Sequence, residues 1–94
     1  MHAVVRIYSG KGGREVLDFI AANKPQIDHL LRSVPGFMNY VISPQGGFTV
    51  TISADEASGD ALTAAARKYL REAAPHIAAD PPQVMSGAVS WQLG

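Results

Sequence analysis

An α+β domain with the element order β-α-β-β-α-β is what this 94-residue chain predicts, on three observations. Residues 2–8 and 48–53 alternate apolar and polar side chains with period two, the pattern of a half-buried strand. Two longer stretches repeat apolar residues at helical spacing. Short segments rich in Gly and Pro separate these runs. The length fits a single domain, 1–94, with one two-layer core.

Each element follows from its residues. In the first strand Ala3, Val5 and Ile7 are apolar while His2, Arg6 and Tyr8 carry polar groups. Ser9-Gly10-Lys11-Gly12-Gly13 ends it. From Arg14 to Val34, Val16, Leu17, Ile20, Ile27, Leu30, Leu31 and Val34 form a helical stripe that Pro25 interrupts. Proline lacks an amide hydrogen and crowds the preceding turn, so the stripe is one kinked helix or two abutting ones. Asn23 is placed to cap the second, with Gln26 returning the bond. Pro35-Gly36 stops it.

Phe37 to Ser43 is the second strand, Pro44-Gln45-Gly46-Gly47 a hairpin turn, and Phe48 to Ser53 the third strand. Asp55 and Ser58 are candidate caps for a helix whose face carries Leu62, Ala65, Ala66, Tyr69, Leu70, Ala73 and Ile77. Pro75 frays its end, and Asp80-Pro81-Pro82 is extended. Val84 to Leu93 reads as the fourth strand, with Gly87 a bulge or close-approach point.

Right-handed crossovers then put both helices on one face of a four-stranded antiparallel sheet, a ferredoxin-like arrangement with strands one and three central. Pairing Pro44 with Gly47 sets Ile42 opposite Thr49 and Tyr40 opposite Thr51. The cleanest alternation, Phe48, Val50 and Ile52 against Thr49, Thr51 and Ser53, assigns the apolar set, with Ala3, Val5 and Ile7, to the helix side. The opposite face then holds His2, Val4, Arg6, Tyr8, Met38, Tyr40, Ile42, Thr49 and Thr51. Its apolar members, Val4, Met38, Tyr40 and Ile42, make a patch that a second copy is expected to cover, sheet on sheet, enclosing the polar groups in a cavity.

Composition narrows the function. Eight basic residues balance eight acidic ones, which leaves no electrostatic footprint for nucleic acid. No apolar run approaches the roughly 20 residues that cross a bilayer, and no basic start precedes a long apolar stretch, so a cytoplasmic location without membrane contact is expected. The absence of cysteine excludes disulfides and thiolate chemistry. His2, His29 and His76 have no ligand spacing, and no metal site is expected. Gly10-Lys11-Gly12-Gly13-Arg14 fails the spacing of a phosphate-binding loop and reads as a turn.

Ser33-Val34-Pro35-Gly36-Phe37-Met38-Asn39-Tyr40, the hairpin into Phe48-Thr49-Val50-Thr51-Ile52, and Asp80-Pro81-Pro82-Gln83-Val84-Met85-Ser86-Gly87 together resemble the dimeric α+β barrel superfamily, in its antibiotic biosynthesis monooxygenase-like branch. The resemblance implies a homodimer joined through its sheet faces, with a ligand cavity beside each sheet. It also implies oxygenases that need no cofactor and act on quinol-like aromatic compounds, among many proteins of no known activity. Haem-degrading members place an Asn on the first strand, a Trp on the third and a His on the second helix. Here Arg6 and Tyr8 stand on the first strand and the third has no Trp, so that chemistry is not carried over. The polyketide oxygenases use Asn, Trp, Tyr and Arg around the cavity, and Tyr40 and Arg6 match two of these in type.

The candidate ligand-binding residues are therefore Arg6, Tyr8, Met38, Tyr40, Thr49 and Thr51. Arg6 would bind a carboxylate or phenolate or steady an oxyanion, and Tyr8 or Tyr40 would donate hydrogen bonds or pass a proton. The function expected is small-molecule binding in a cavity of roughly 300 Å³ or more, with cofactor-free oxygenation of a small aromatic or polyketide-like compound. The alternatives are a non-catalytic binder and a structural homodimer.

Overall fold

The computed structural model describes all 94 residues. Its elements run β1 (His2–Ile7), α1 (Gly13–Ala22), α2 (Lys24–Arg32), β2 (Phe37–Ser43), β3 (Phe48–Ser53), α3 (Glu56–Ala73) and β4 (Gln83–Ala88). The strands form one antiparallel sheet in the order β2-β3-β1-β4, with β3 and β1 at its centre. The predicted hairpin register holds, with Tyr40 opposite Thr51 and Ile42 opposite Thr49.

The long N-terminal helix is two helices that meet at Asn23, because Pro25 lies in the first turn of α2, where its missing amide hydrogen costs nothing. Asn23 does not form the expected capping box. Its side-chain amide donates to the Phe19 carbonyl at 2.8 Å, closing α1 instead of opening α2. Asp55 caps α3, accepting from the Ser58 amide at 2.7 Å, and this bond holds its carboxyl below the usual aspartate range. Gly36 turns the chain from α2 into β2 with φ +90°, and a Cβ there would meet the Ser58 side chain, so both conformation and space call for glycine.

Two expectations at the sheet edges are corrected. β4 ends at Ala88, and residues 89–94, including Trp91 at 79% exposure, lie outside the sheet ladder. The β1–β4 register runs unbroken through Gly87, which has open space beside it; the bulge lies instead in the other edge strand, between Phe37 and Asn39.

The larger correction concerns the faces. Cross-strand rows on the helix side are Tyr40-Thr51-Val4-Ser86 and Ile42-Thr49-Arg6-Val84, and Val4, Thr49, Thr51 and Ser53 are all buried there. The outer face carries the row Val41-Val50-Val5-Met85, flanked by Ile52 and Ala3 on one side and Phe48 and Ile7 on the other. The hydroxylic face is the inner one because α3 comes close to it. Gly59 is buried, and a Cβ there would stand 3.2 Å from both His2 Cδ2 and Ser53 Oγ. Small side chains on helix and strand together make that approach feasible. The apolar core forms above the sheet, where Val16, Ile20, Ile27, Leu31 and Leu62 pack with Tyr8, Phe37, Tyr40 and Ile42 beside them.

Candidate functional site

Five of the six candidate residues converge. Arg6 and Tyr8 come from β1 and its extension, Tyr40 from β2, and Thr49 and Thr51 from β3. All five line a narrow cavity of about 40 Å³ between the sheet and the helices, roofed by Ile20, Leu31, Leu62, Ala66 and Leu70. The cavity lies within one chain, where the sequence placed it between two sheets. The sixth candidate, Met38, is 48% exposed at the bulge and lines a separate groove between α2 and β2. Arg6, Tyr8, Ala66 and Leu70 also line an open pocket of about 390 Å³ against Val16, Thr63, Arg67 and the Ala79-Asp80-Pro81-Pro82 connector. The site therefore has a small inner chamber and a larger mouth, where a single closed cavity of the larger size was expected.

The polar groups of the chamber are sparingly used by the protein. Arg6 donates from its guanidinium to Thr63 Oγ1, which in turn donates to the Gly59 carbonyl at 3.0 Å. No carboxylate pairs with Arg6: the two ion pairs of the chain join Arg14 to Asp18 and Arg32 to Asp28 on the surface. Thr49 and Thr51 are 2% and 5% exposed, yet neither side chain is hydrogen-bonded, and no buried side-chain N or O is sealed away without a partner. Their hydroxyls, like those of Tyr8 and Tyr40, thus open onto the chamber. A guanidinium with four N–H groups to spare and four hydroxyls can together grip a polar guest.

Burial sets the protonation states. It pushes the Tyr8 hydroxyl up, against the pull of Arg6 and Arg67. Burial with the neighbouring Tyr8 pushes Tyr40 up to about 12, against Arg6. Arg6 is moved down, chiefly by burial, with Arg67 adding to the effect and the tyrosines opposing it. At neutral pH the chamber thus presents a cation and two protonated phenols: donors, with no base among its lining side chains.

The Tyr40 proton is held more tightly in the folded chain than in the unfolded one, where it is lost near pH 10. Its stabilisation is complete below about pH 10 and is lost as pH rises through about 12. Across that window the fold should lose about 2–3 kcal/mol through Tyr40. The urea midpoint, followed from about pH 9 to about pH 12, should fall in the wild type and fall less in Tyr40→Phe.

Sequence reasoning missed two residues of the roof of the site: Thr63 and Arg67 face it from α3, beside Ala66 and Leu70, which the sequence placed on the apolar face of that helix. The i, i+3, i+4, i+7 spacing of these four was the available signal: a stripe mixing a cation and a hydroxyl with apolar groups, beside the wholly apolar one.

No family model matches the sequence, and no curated protein does. Among solved structures, the chain is similar to NE2512, a protein of unknown function from Nitrosomonas europaea, with TM-score 0.61 and 22% identity over 99% of this chain and 94% of that one. It is also similar to a monooxygenase from the ActVA-Orf6 gene of Streptomyces coelicolor, solved in complex with the ligand Nanaomycin D. There the TM-score is 0.55, with 22% identity over 98% of this chain and 88% of that one. The near-complete overlap shows that the chain shares its ferredoxin-like α+β fold, a four-stranded antiparallel sheet with helices on one face, with these two structures.

Proposed function

We propose that this protein binds a small phenolic or polyketide-like compound between its sheet and helices and oxygenates it, using the compound's own electrons. The observation that carries the reading is the convergence of Arg6, Tyr8, Tyr40, Thr49 and Thr51 on one chamber with a single hydrogen bond, Arg6 to Thr63, spent within the protein. The fold shared with a monooxygenase supports it. The body of the compound fits the mouth, lined by Val16, Ala66, Leu70, Pro81 and Pro82. The chamber is of a size for a few water-sized molecules, dioxygen among them.

The chemistry suited to this lining starts from an aromatic ketone with an acidic ring CH2, of the anthrone type. Loss of one proton gives a phenolate whose oxygen Arg6 stabilises. Because the chamber lacks a base, that proton passes to water, driven by the acidity of the compound itself, which the guanidinium raises. The ring carbon then gives an electron pair to dioxygen, forming a C–O bond, and a proton completes the hydroperoxide. Loss of water breaks the O–O bond and leaves a carbonyl, so one oxygen atom ends in the product and the other in water. Tyr8 and Tyr40, both protonated, donate hydrogen bonds to the oxygen intermediates.

Oxygen-electrode measurements with anthrone test this. The wild type is expected to consume oxygen, and Arg6→Gln to lower the rate by about a hundredfold, the range of an oxyanion donor, with the melting temperature little changed. Unchanged uptake in Arg6→Gln would remove Arg6 from the reaction. The lack of a base in the chamber also favours a second reading, a binder that turns nothing over, which is marked by saturable binding without oxygen uptake.

The homodimer belongs to the same proposal. The row Val41-Val50-Val5-Met85, with Ile52, Phe48 and Ile7 around it, is an apolar sheet face that no helix of this chain covers. A second copy packed face to face is the partner that suits it.

A further inference from the structure

Two arginines stand at the mouth of the site and neither is paired with a carboxylate. Arg6 reaches it from β1 and Arg67 from α3, and both line the open pocket and a second one beside it, of about 400 Å³. They are close enough that the charge of Arg67 bears on the Arg6 guanidinium and on the Tyr8 hydroxyl. Holding two cations together with no carboxylate in direct contact with either is unfavourable, and an anionic guest would relieve it.

The surrounding carboxylates limit that anion's charge. Glu56 and Asp60 line the second pocket with Arg67, and Asp80 stands at the rim of the first, where its Oδ2 accepts from the Lys11 amide at 3.0 Å. None forms an ion pair with either arginine, but each repels a second negative charge. The apolar side of the pocket, Val16, Ala66, Leu70, Pro81 and Pro82, suits a flat ring. A planar monoanion matches this set better than a phosphate, which carries close to two charges.

Resting on the reading of this pocket as a small-molecule site, we infer that its ligand is an aromatic carboxylic acid, whose carboxylate is held between Arg6 and Arg67 while its ring lies against Leu70 and the two prolines. Arg67 is then a specificity-determining residue: it selects the acid over its neutral analogue and takes no part in the oxygen chemistry.

Three probes of nearly equal shape test this by calorimetry: 1-hydroxy-2-naphthoate, its methyl ester and 1-naphthol. The acid is expected to bind the wild type about tenfold or more tighter than the ester, a preference that weakens with added salt. Arg67→Gln should bring the acid down to the affinity of the ester while leaving ester and naphthol unchanged, and Arg67→Lys should restore part of the preference. Arg67 is exposed on a helix and glutamine is a comparable helix former, so the fold tolerates the change. Binding of naphthol and ester with no preference for the acid, or a preference that survives Arg67→Gln, overturns the assignment and leaves the pocket standing. If none of the three binds at millimolar concentration, the pocket reading falls and the assignment falls with it.

Discussion

Val50→Asp is expected to leave the protein as single chains, with the mass measured by light scattering falling from two chains to one. Val50 sits at the middle of the outer face on the central strand β3, with Val5 on one neighbouring strand and Val41 on the other. In one chain these side chains meet solvent, and an aspartate is tolerated there. Between two packed sheets the same aspartate loses its water, and it meets its own symmetry copy or valine side chains, with no cation on the row. A buried charge without a partner costs about 3–5 kcal/mol, and a two-fold interface carries it twice. That lowers association by more than about a thousandfold. The pocket lies on the opposite face and within one chain, so ligand binding should survive in the monomer. A Val50→Asp protein that remains a dimer, or a wild type with the mass of one chain, would show that this face is not the joint.

That the pocket lies on the helix side, with the more apolar face turned outward, was not legible in the sequence, and the reason is physical. Period-two alternation in β3 identified the two faces correctly, with Thr49, Thr51 and Ser53 on one and Phe48, Val50 and Ile52 on the other. Alternation alone says that the faces differ, not which one meets the helices. The usual sign, apolar inward, fails here because both faces are apt for burial. Gly59 lets α3 settle onto serine and threonine side chains, while the more apolar face is left on the side away from the helices. The candidate set survived this reversal because Arg6, Tyr8, Tyr40, Thr49 and Thr51 share a face whichever way it points. Met38 did not, since the bulge before Asn39 takes it out of step with Tyr40. Turn chemistry read well: Pro35-Gly36, the Pro44–Gly47 hairpin and the Asp55 cap all fall where expected, because each depends on local backbone geometry. β4 read too long because Val89, Trp91 and Leu93 continue an apolar alternation beyond the end of the ladder at Ala88. The roof residues Thr63 and Arg67 went unread because function was sought on strands alone.

The second large effect concerns what holds that roof on. Leu62 is 2% exposed, belongs to the core cluster with Val16, Ile20, Ile27 and Leu31, and also forms part of the chamber wall. It joins α3 to α1 and α2 above the polar strand face, where Thr49 and Thr51 contribute little apolar area of their own. Leu62→Ala removes three buried carbons and leaves a void, at a cost of about 2–5 kcal/mol. A domain of this size has about 5–15 kcal/mol in total, so the melting temperature should drop by about 10 °C or more. The comparison that isolates the chamber is Leu17→Ala. Leu17 is fully buried but lines none of the pockets around Arg6, and its loss should cost a similar amount of stability. The two variants then part in binding. Leu62→Ala widens the chamber beside Tyr40 and Thr51, and should admit larger hydroxyaromatic compounds than the wild type does. Leu17→Ala should keep the wild-type size preference below its own melting point. Equal size preferences in the two variants would mean that the chamber does not meet the ligand, and that recognition is confined to the mouth.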